Sequence, residues 1–230
     1  WPTIPIAIGS LNNTFLRWIA YKLERFAYTN SAQIVALSPG MKEGVISTGY
    51  NADNVTVIPN SCDLELFDTK DKAKIAIKFR NHHNIPEVAT LIVYAGTFGR
   101  INGVDYLVNL AKSLEDLPNV IFLAIGEGSE FGKVAELAKN RGILDKNFRM
   151  FDGVSKTEIV NVLSSADVAI SLFIPLKEME ANSANKFFDA MAAGLPVLIN
   201  YGGWQAKLLL DNQAGMQLDR DLTIASGQVR

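Results

Sequence analysis

The stretch LIVYAGTFGRINGVDYLVNLAKSLEDLPNVIFLAIGEG, residues 91–128, decides the fold. It opens with the apolar run 91–95, passes through a glycine-rich turn at 96–103, continues over 104–114 with apolar side chains at helical spacing, and returns to an apolar run at 120–125. Two short, continuously apolar runs separated by an amphipathic helix predict a βαβ unit. Parallel neighbours need a crossover, and strands covered on both faces need no polar alternation. The second run closes on another glycine turn, Gly126-Glu127-Gly128.

Downstream the alternation is regular, predicting helix 130–140, strand 148–151, helix 156–164, strand 168–172, helix 184–193 and strand 196–199. Ser155-Lys156-Thr157-Glu158 has the pattern of a capping box and opens one of these helices. The pattern predicts an α/β fold built on a doubly wound parallel sheet, whose ligands bind at the carboxyl ends of the strands. Upstream, a β-branched run at 33–37 ends at Ser38-Pro39, a helix N-cap followed by a first-turn proline, and helix 39–48 closes at Gly49. Strand 55–58 stops at Pro59-Asn60. The polar stretch 61–90, helical over 71–83, suits an inter-domain connection. Residues 11–29 place Leu16, Ile19, Leu23 and Phe26 on one helix face with Arg17, Lys22 and Arg25 around it. We expect that helix to dock on its own domain, with a membrane-surface helix as the alternative.

Composition narrows the chemistry. Lys+Arg 22 against Asp+Glu 24 give a net charge of −2, which argues against a basic nucleic-acid surface. Cys62 stands alone, and the only histidines are His82 and His83, so a Cys/His zinc site is excluded. The adjacent histidines point in different directions on a helix, without an acidic partner nearby in sequence, and are read as surface residues. Asn12 and Asn54 head Asn-x-Thr triplets that count only in a secretory setting. No apolar run approaches the ~18 residues of a membrane span, and no basic-then-apolar leader is present. The expectation is a soluble, intracellular chain. Beginning at Trp1, it reads as a piece of a longer protein.

Three strand-to-helix loops can carry chemistry. In the first, 96–103, glycines including Gly99 allow close backbone approach and Arg100 can face a phosphate; a tight turn with a solvated arginine is the alternative. The second, Gly126-Glu127-Gly128, departs from the dinucleotide fingerprint because Phe131 stands where a third glycine belongs. The third, SANKFFDAMAAG at 183–194, predicts Ser183 as N-cap and Phe187, Phe188, Met191 and Ala192 as the sheet-facing side. The N–H groups of Ala184, Asn185, Lys186 and Phe187 and the positive helix end then offer an anion site, with Lys186 adding a charge and Asp189 able to accept hydrogen bonds from sugar hydroxyls. The alternative is a capped core helix with a Lys186–Asp189 surface pair.

These residues resemble the retaining glycosyltransferases of family 4, which have the GT-B fold of two facing Rossmann-like domains. The resemblance runs from Trp1 to about Leu218. VTVIPNSCD (55–63), Gly126-Glu127-Gly128, FDGV (151–154) and SADV (165–168) are similar to family phrases in order, and NKFFDAMAAGLPV (185–197) is the most specific, similar to the branch that builds bacterial surface polysaccharides. The resemblance implies that residues 1–60 are the end of an acceptor domain, 61–88 a connection and 89–230 a Rossmann-like donor-binding domain. It implies a nucleoside diphosphate sugar donor, with UDP as its nucleotide, and transfer to a saccharide or lipid-linked acceptor without cofactor or metal. The location implied is cytoplasmic, with peripheral membrane association through the N-terminal domain.

Carried over residue by residue, the resemblance makes Arg100 and Lys186 the catalytic cations. Gly99, Glu180, Ser183, Ala184, Asn185, Phe187 and Asp189 become donor-binding, Gly126 and Glu127 the second loop, and Gly153, Val154 and Ser155 the nucleobase contact. The sequence departs from the family where a Glu, seven residues and a second Glu are usual: Ala181 and Asp189 hold those positions, with Glu180 displaced by one. Thr97 and Asn102 stand where the family has Arg and Lys in the first glycine loop. A sugar-nucleotide 2-epimerase of the same architecture and a non-catalytic nucleotide-sugar-binding domain are the competing readings.

Overall fold

The apolar runs flanking the first glycine loop form parallel neighbouring strands, Leu91 beside Ile121 and Tyr94 beside Ala124. The structure is a computed structural model that describes residues 2–69 and 71–230; Trp1, where the resemblance begins, and Lys70, within 61–88, lie outside the described residues. The chain divides into two units: Trp1–Asn60 with Pro175–Ser183 and Gly203–Gln205, and Ser61–Ile174 with Ala184–Gly202 and Ala206–Arg230.

The first unit contains α1 (Thr3–Ala7), α2 (Thr14–Thr29), β1 (Ile34–Ala36), α3 (Pro39–Ser47) and β2 (Val55–Val57), with β1 and β2 pairing in parallel. Ala36, Val45 and Val55 form its small core. Ser38 caps α3 as expected, its Oγ accepting from the Met41 N–H and donating to the Ala181 carbonyl. Asn13 caps α2. The docking expected for α2 is not made among the described residues: Phe15, Trp18, Leu23 and Phe26 are exposed, and Ala20 is the buried residue of the helix. Its amphipathic pattern records an apolar face that the described residues do not cover.

In the second unit, α4 (Leu64–Phe67) and α5 (Lys72–His82) precede β3 (Thr90–Ala95), α6 (Asp105–Ser113), β4 (Val120–Ile125), α7 (Phe131–Asn140), β5 (Phe148–Phe151), α8 (Lys156–Ser165), β6 (Val168–Ser171), α9 (Asn185–Ala192) and β7 (Val197–Ile199). Then come α10 (Trp204–Asn212), which begins in the first unit, β8 (Gly215–Gln217) and α11 (Leu222–Val229). The six strands are parallel in the order β5-β4-β3-β6-β7-β8. This doubly wound, Rossmann-like order reverses direction between β3 and β6, where the crevice outside the strand ends opens.

Alternate residues of β3 serve opposite layers: Ile92 and Tyr94 join Leu107, Leu110 and Phe122, whereas Leu91 and Val93 join Phe67, Leu123, Val160 and Leu163. That two-sided burial is why the strands read as continuous apolar runs. α10, β8 and α11 extend the unit beyond the elements expected from the sequence; β8 is a three-residue edge strand recognisable mainly by its pairing with β7. His83 departs from the expected surface position. That ring is partly buried between Phe79 and Phe151, with centroids at 4.4 and 4.5 Å, and burial lowers its pKa.

Candidate functional site

Helix α9 sets the site. It starts one residue later than expected, and its N-cap is Ala184, which makes no side-chain cap. Ser183 was the expected cap, but within the first unit its Oγ accepts from the Asn60 N–H at 3.0 Å and its carbonyl from Asn60 Nδ2. The Phe187 N–H is also engaged, donating to the Ala184 carbonyl at 3.1 Å. Of the four N–H groups expected to offer an anion site, that of Phe187 is thus taken, leaving those of Ala184, Asn185 and Lys186. The buried side of α9 is Phe187 and Ala190; Phe188, Met191 and Ala192 are only partly buried.

Lys186 does not form the surface pair with Asp189. Its Nζ donates to Asn102 Oδ1 at 2.8 Å and to the Tyr94 hydroxyl at 3.3 Å, 4.8 Å from the Tyr94 ring centroid and 5.1 Å from that of Phe173. Tyr94 lies on β3 and Phe173 just beyond β6, so the ammonium sits at the point where the strand order reverses. Burial without a carboxylate partner pulls its pKa down to about 7. Burial pushes the Tyr94 hydroxyl upward, keeping it neutral.

Phe173 is itself held: its N–H donates to Asn200 Oδ1 and its carbonyl accepts from Arg220. Asn200 and Phe173 were not singled out from the sequence. The available signal was polar Asn200 directly after the apolar strand β7. Tyr94 was likewise overlooked, although it is a hydroxyl-bearing residue near the carboxyl end of β3.

Asp189 is half-buried and lines a cavity of about 30 Å³ with Lys186, Val93, Ile159 and Ile170. Burial raises its carboxyl pKa, and Lys156 offsets part of that shift. Arg100 is exposed and lines a different cavity of about 290 Å³ with Gly99, Glu130 and Lys133. Glu180 lies on a 3₁₀ turn, Lys177–Ala181; that turn and Ser183 belong to the first unit.

The two glycine loops are stitched together. Gly96 N–H donates to the Ile125 carbonyl and Phe98 N–H to the Glu127 carbonyl, and a Cβ at Gly126 (φ +151) would lie 1.9 Å from the Gly96 oxygen. A Cβ on exposed Gly153 would lie 3.5 Å from Glu127 Cγ, so Gly153 adjoins the second loop, and exposed Val154 follows it in the chain. The Ser155 hydroxyl is committed to the α8 capping box with Glu158.

More than half of the chain, residues 76–223, matches the family of glycosyl transferases group 1. The chain belongs to that family. Among relatives of this group 1 glycosyl transferase, it is 28% identical over 199 residues to the lipopolysaccharide 1,2-N-acetylglucosaminetransferase of Salmonella typhimurium, covering 82% of this chain and 49% of the relative. Its fold superimposes on the Anabaena protein HepE, crystallised in complex with UDP-glucose, with a TM-score of 0.72 at 16% identity, covering 91% of this chain and 56% of that one. It also superimposes on the C-terminal domain of a group 1 family protein from Francisella tularensis, with a TM-score of 0.58 at 15% identity, covering 74% of this chain and 86% of that domain. The fold is thus the α/β, Rossmann-like fold of GT-B glycosyltransferases, and the chain spans about a third to a half of the curated relatives it matches. Among the described residues of this group 1 glycosyl transferase, no helix is long and apolar enough to cross a membrane.

Proposed function

We propose that this chain is the donor-binding part of a retaining, metal-independent glycosyltransferase of family 4 that transfers a sugar from a UDP-sugar to a saccharide or lipid-linked acceptor in cell-surface polysaccharide assembly. The observation that carries the reading is the Lys186 ammonium, held by neutral groups at the strand-order switch beside the start of α9. A partly buried cation next to a helix N-terminus suits a diphosphate, and more so the charge that develops as the diphosphate departs. Lys186 takes the phosphates with the Asn185 and Lys186 N–H groups, Arg100 meets them from the first loop, Asp189 accepts from the ribose hydroxyls, and Gly153 and Val154 flank the base beside Gly126 and Glu127. The acceptor is left to the domain that residues 1–60 close, and peripheral membrane attachment belongs to that domain.

The relative named for lipopolysaccharide N-acetylglucosamine transfer and the Anabaena complex with UDP-glucose support the acceptor class and the nucleotide. Thermal unfolding with UDP, NAD and ATP tests the reading. Saturation at 100 times the dissociation constant stabilises by about 2.7 kcal/mol, so UDP should raise the midpoint well above either competitor. Equal shifts with all three nucleotides, or none, count against it.

A further inference from the structure

We infer that Asn102 is a positioning residue: its amide oxygen fixes the Lys186 ammonium at the strand-order switch while leaving the positive charge uncompensated for an incoming phosphate. The inference rests on the donor-site reading above and assigns a task to a side chain that contributes no charge itself.

Asn102 is built for this contact. It is buried at 8% exposure, at the end of a 3₁₀ turn, Arg100–Asn102, in which its N–H donates to the Gly99 carbonyl. Gly103 follows in the left-handed region at φ +55, where a Cβ would lie 3.2 Å from Ile174 Cγ2, so the turn is seated against the segment after β6. An ammonium only donates, which orients the Asn102 amide with Oδ1 toward Lys186. Tyr94 reinforces the arrangement: its hydroxyl donates to the Thr97 carbonyl at 2.7 Å and so offers its lone pair to Lys186.

The groups facing the ammonium are therefore neutral from each packed element: Tyr94 from β3, Asn102 from the 3₁₀ turn and Phe173 from beyond β6. Asp189, on Lys186's own helix, feels Lys156 as its charged neighbour. Among the described residues no carboxylate forms an ion pair with Lys186. An aspartate at 102 would have nearly the same shape and would neutralise the cation before a ligand arrived. An asparagine supplies the geometry without that competition.

The test pairs two variants with two readouts, the Lys186 Nζ titration followed by NMR on the free protein and the affinity for UDP. Asn102→Asp should raise the lysine's pKa by about one to three units, as an opposite charge at this range does, and weaken UDP at least tenfold. Asn102→Ala, which removes the acceptor, should move the titration the opposite way. A merely structural role for Asn102 predicts no such opposed pair of shifts. An unchanged titration in Asn102→Asp overturns the inference whatever UDP does, and so does undiminished UDP affinity in that variant. If the wild-type protein binds no UDP while the titrations shift as stated, the positioning of Lys186 stands and the donor reading fails.

Discussion

Lys186 Nζ and Asn102 Oδ1 are 2.8 Å apart, joining the start of α9 to the glycine loop after β3. The contact matters because it is neutral on one side. A buried lysine usually finds a carboxylate or loses its proton, since desolvation disfavours the charged form. Here it finds an amide oxygen, a phenol oxygen and two aromatic faces. These orient the ammonium without cancelling its charge and offset only part of its desolvation, so its pKa still falls to about 7.

That arrangement costs stability, with a defined pH signature. The folded pKa of about 7 lies below the 10.5 of a free lysine, so between those values the unfolded chain binds more protons than the folded one. The lysine's contribution therefore improves as pH rises from 7 toward 10.5. Below 7 both states are charged and the cost of burying the ion is present in full. Lys186→Met keeps the stem and removes the titration. It should be more stable than the parent at pH 6, with the difference closing as pH approaches 10. Denaturant melts at pH 6, 8 and 10 check this; a difference independent of pH would show that the lysine does not titrate in this range.

Asp189 is predicted to read the ribose. Its half-buried carboxylate should accept hydrogen bonds from the 2′ and 3′ hydroxyls, and removing those hydroxyls leaves a charged acceptor unpaired. UDP should bind more tightly than its 2′,3′-dideoxy analogue, and Asp189→Ala should erase most of that preference in parallel titrations. If the variant keeps the preference, Asp189 is not the ribose ligand.

Gly126 is predicted to accept a side chain only at a large cost in stability. At φ +151 with the Gly96 carbonyl in the space of a Cβ, Gly126→Ala should cost about 2–4 kcal/mol, the order expected for strain plus a backbone displacement. Gly132→Ala, on α7 with open space around the added methyl, should instead be neutral or stabilising by about 0.4–1 kcal/mol. Urea melts of the two variants compare them directly. Similar losses would mean the loops adapt.

The sheet was legible because its strands are buried on both faces: β3, β4 and β5 announce themselves as apolar runs, and their helices as amphipathic intervals. The partners of individual side chains were not. Ser183 has an ideal N-cap residue type, but its hydroxyl is taken by Asn60, 123 residues away in sequence. Asn102 looked like the loss of a cation, and only the fold reveals that a cation arrives from α9 to meet it. The α2 pattern correctly gave a helix with an apolar face, yet a sequence pattern does not say what covers that face.

Binding of the donor diphosphate by Lys186 is measured by calorimetric titration of UDP into the parent protein and Lys186→Met. The parent should bind measurably and the variant should lose about 1.5–3 kcal/mol, the range for hydrogen bonds to charged groups, with the circular dichroism spectrum of the fold preserved. Equal affinity in the two proteins, or no binding to the parent, would contradict that role for Lys186.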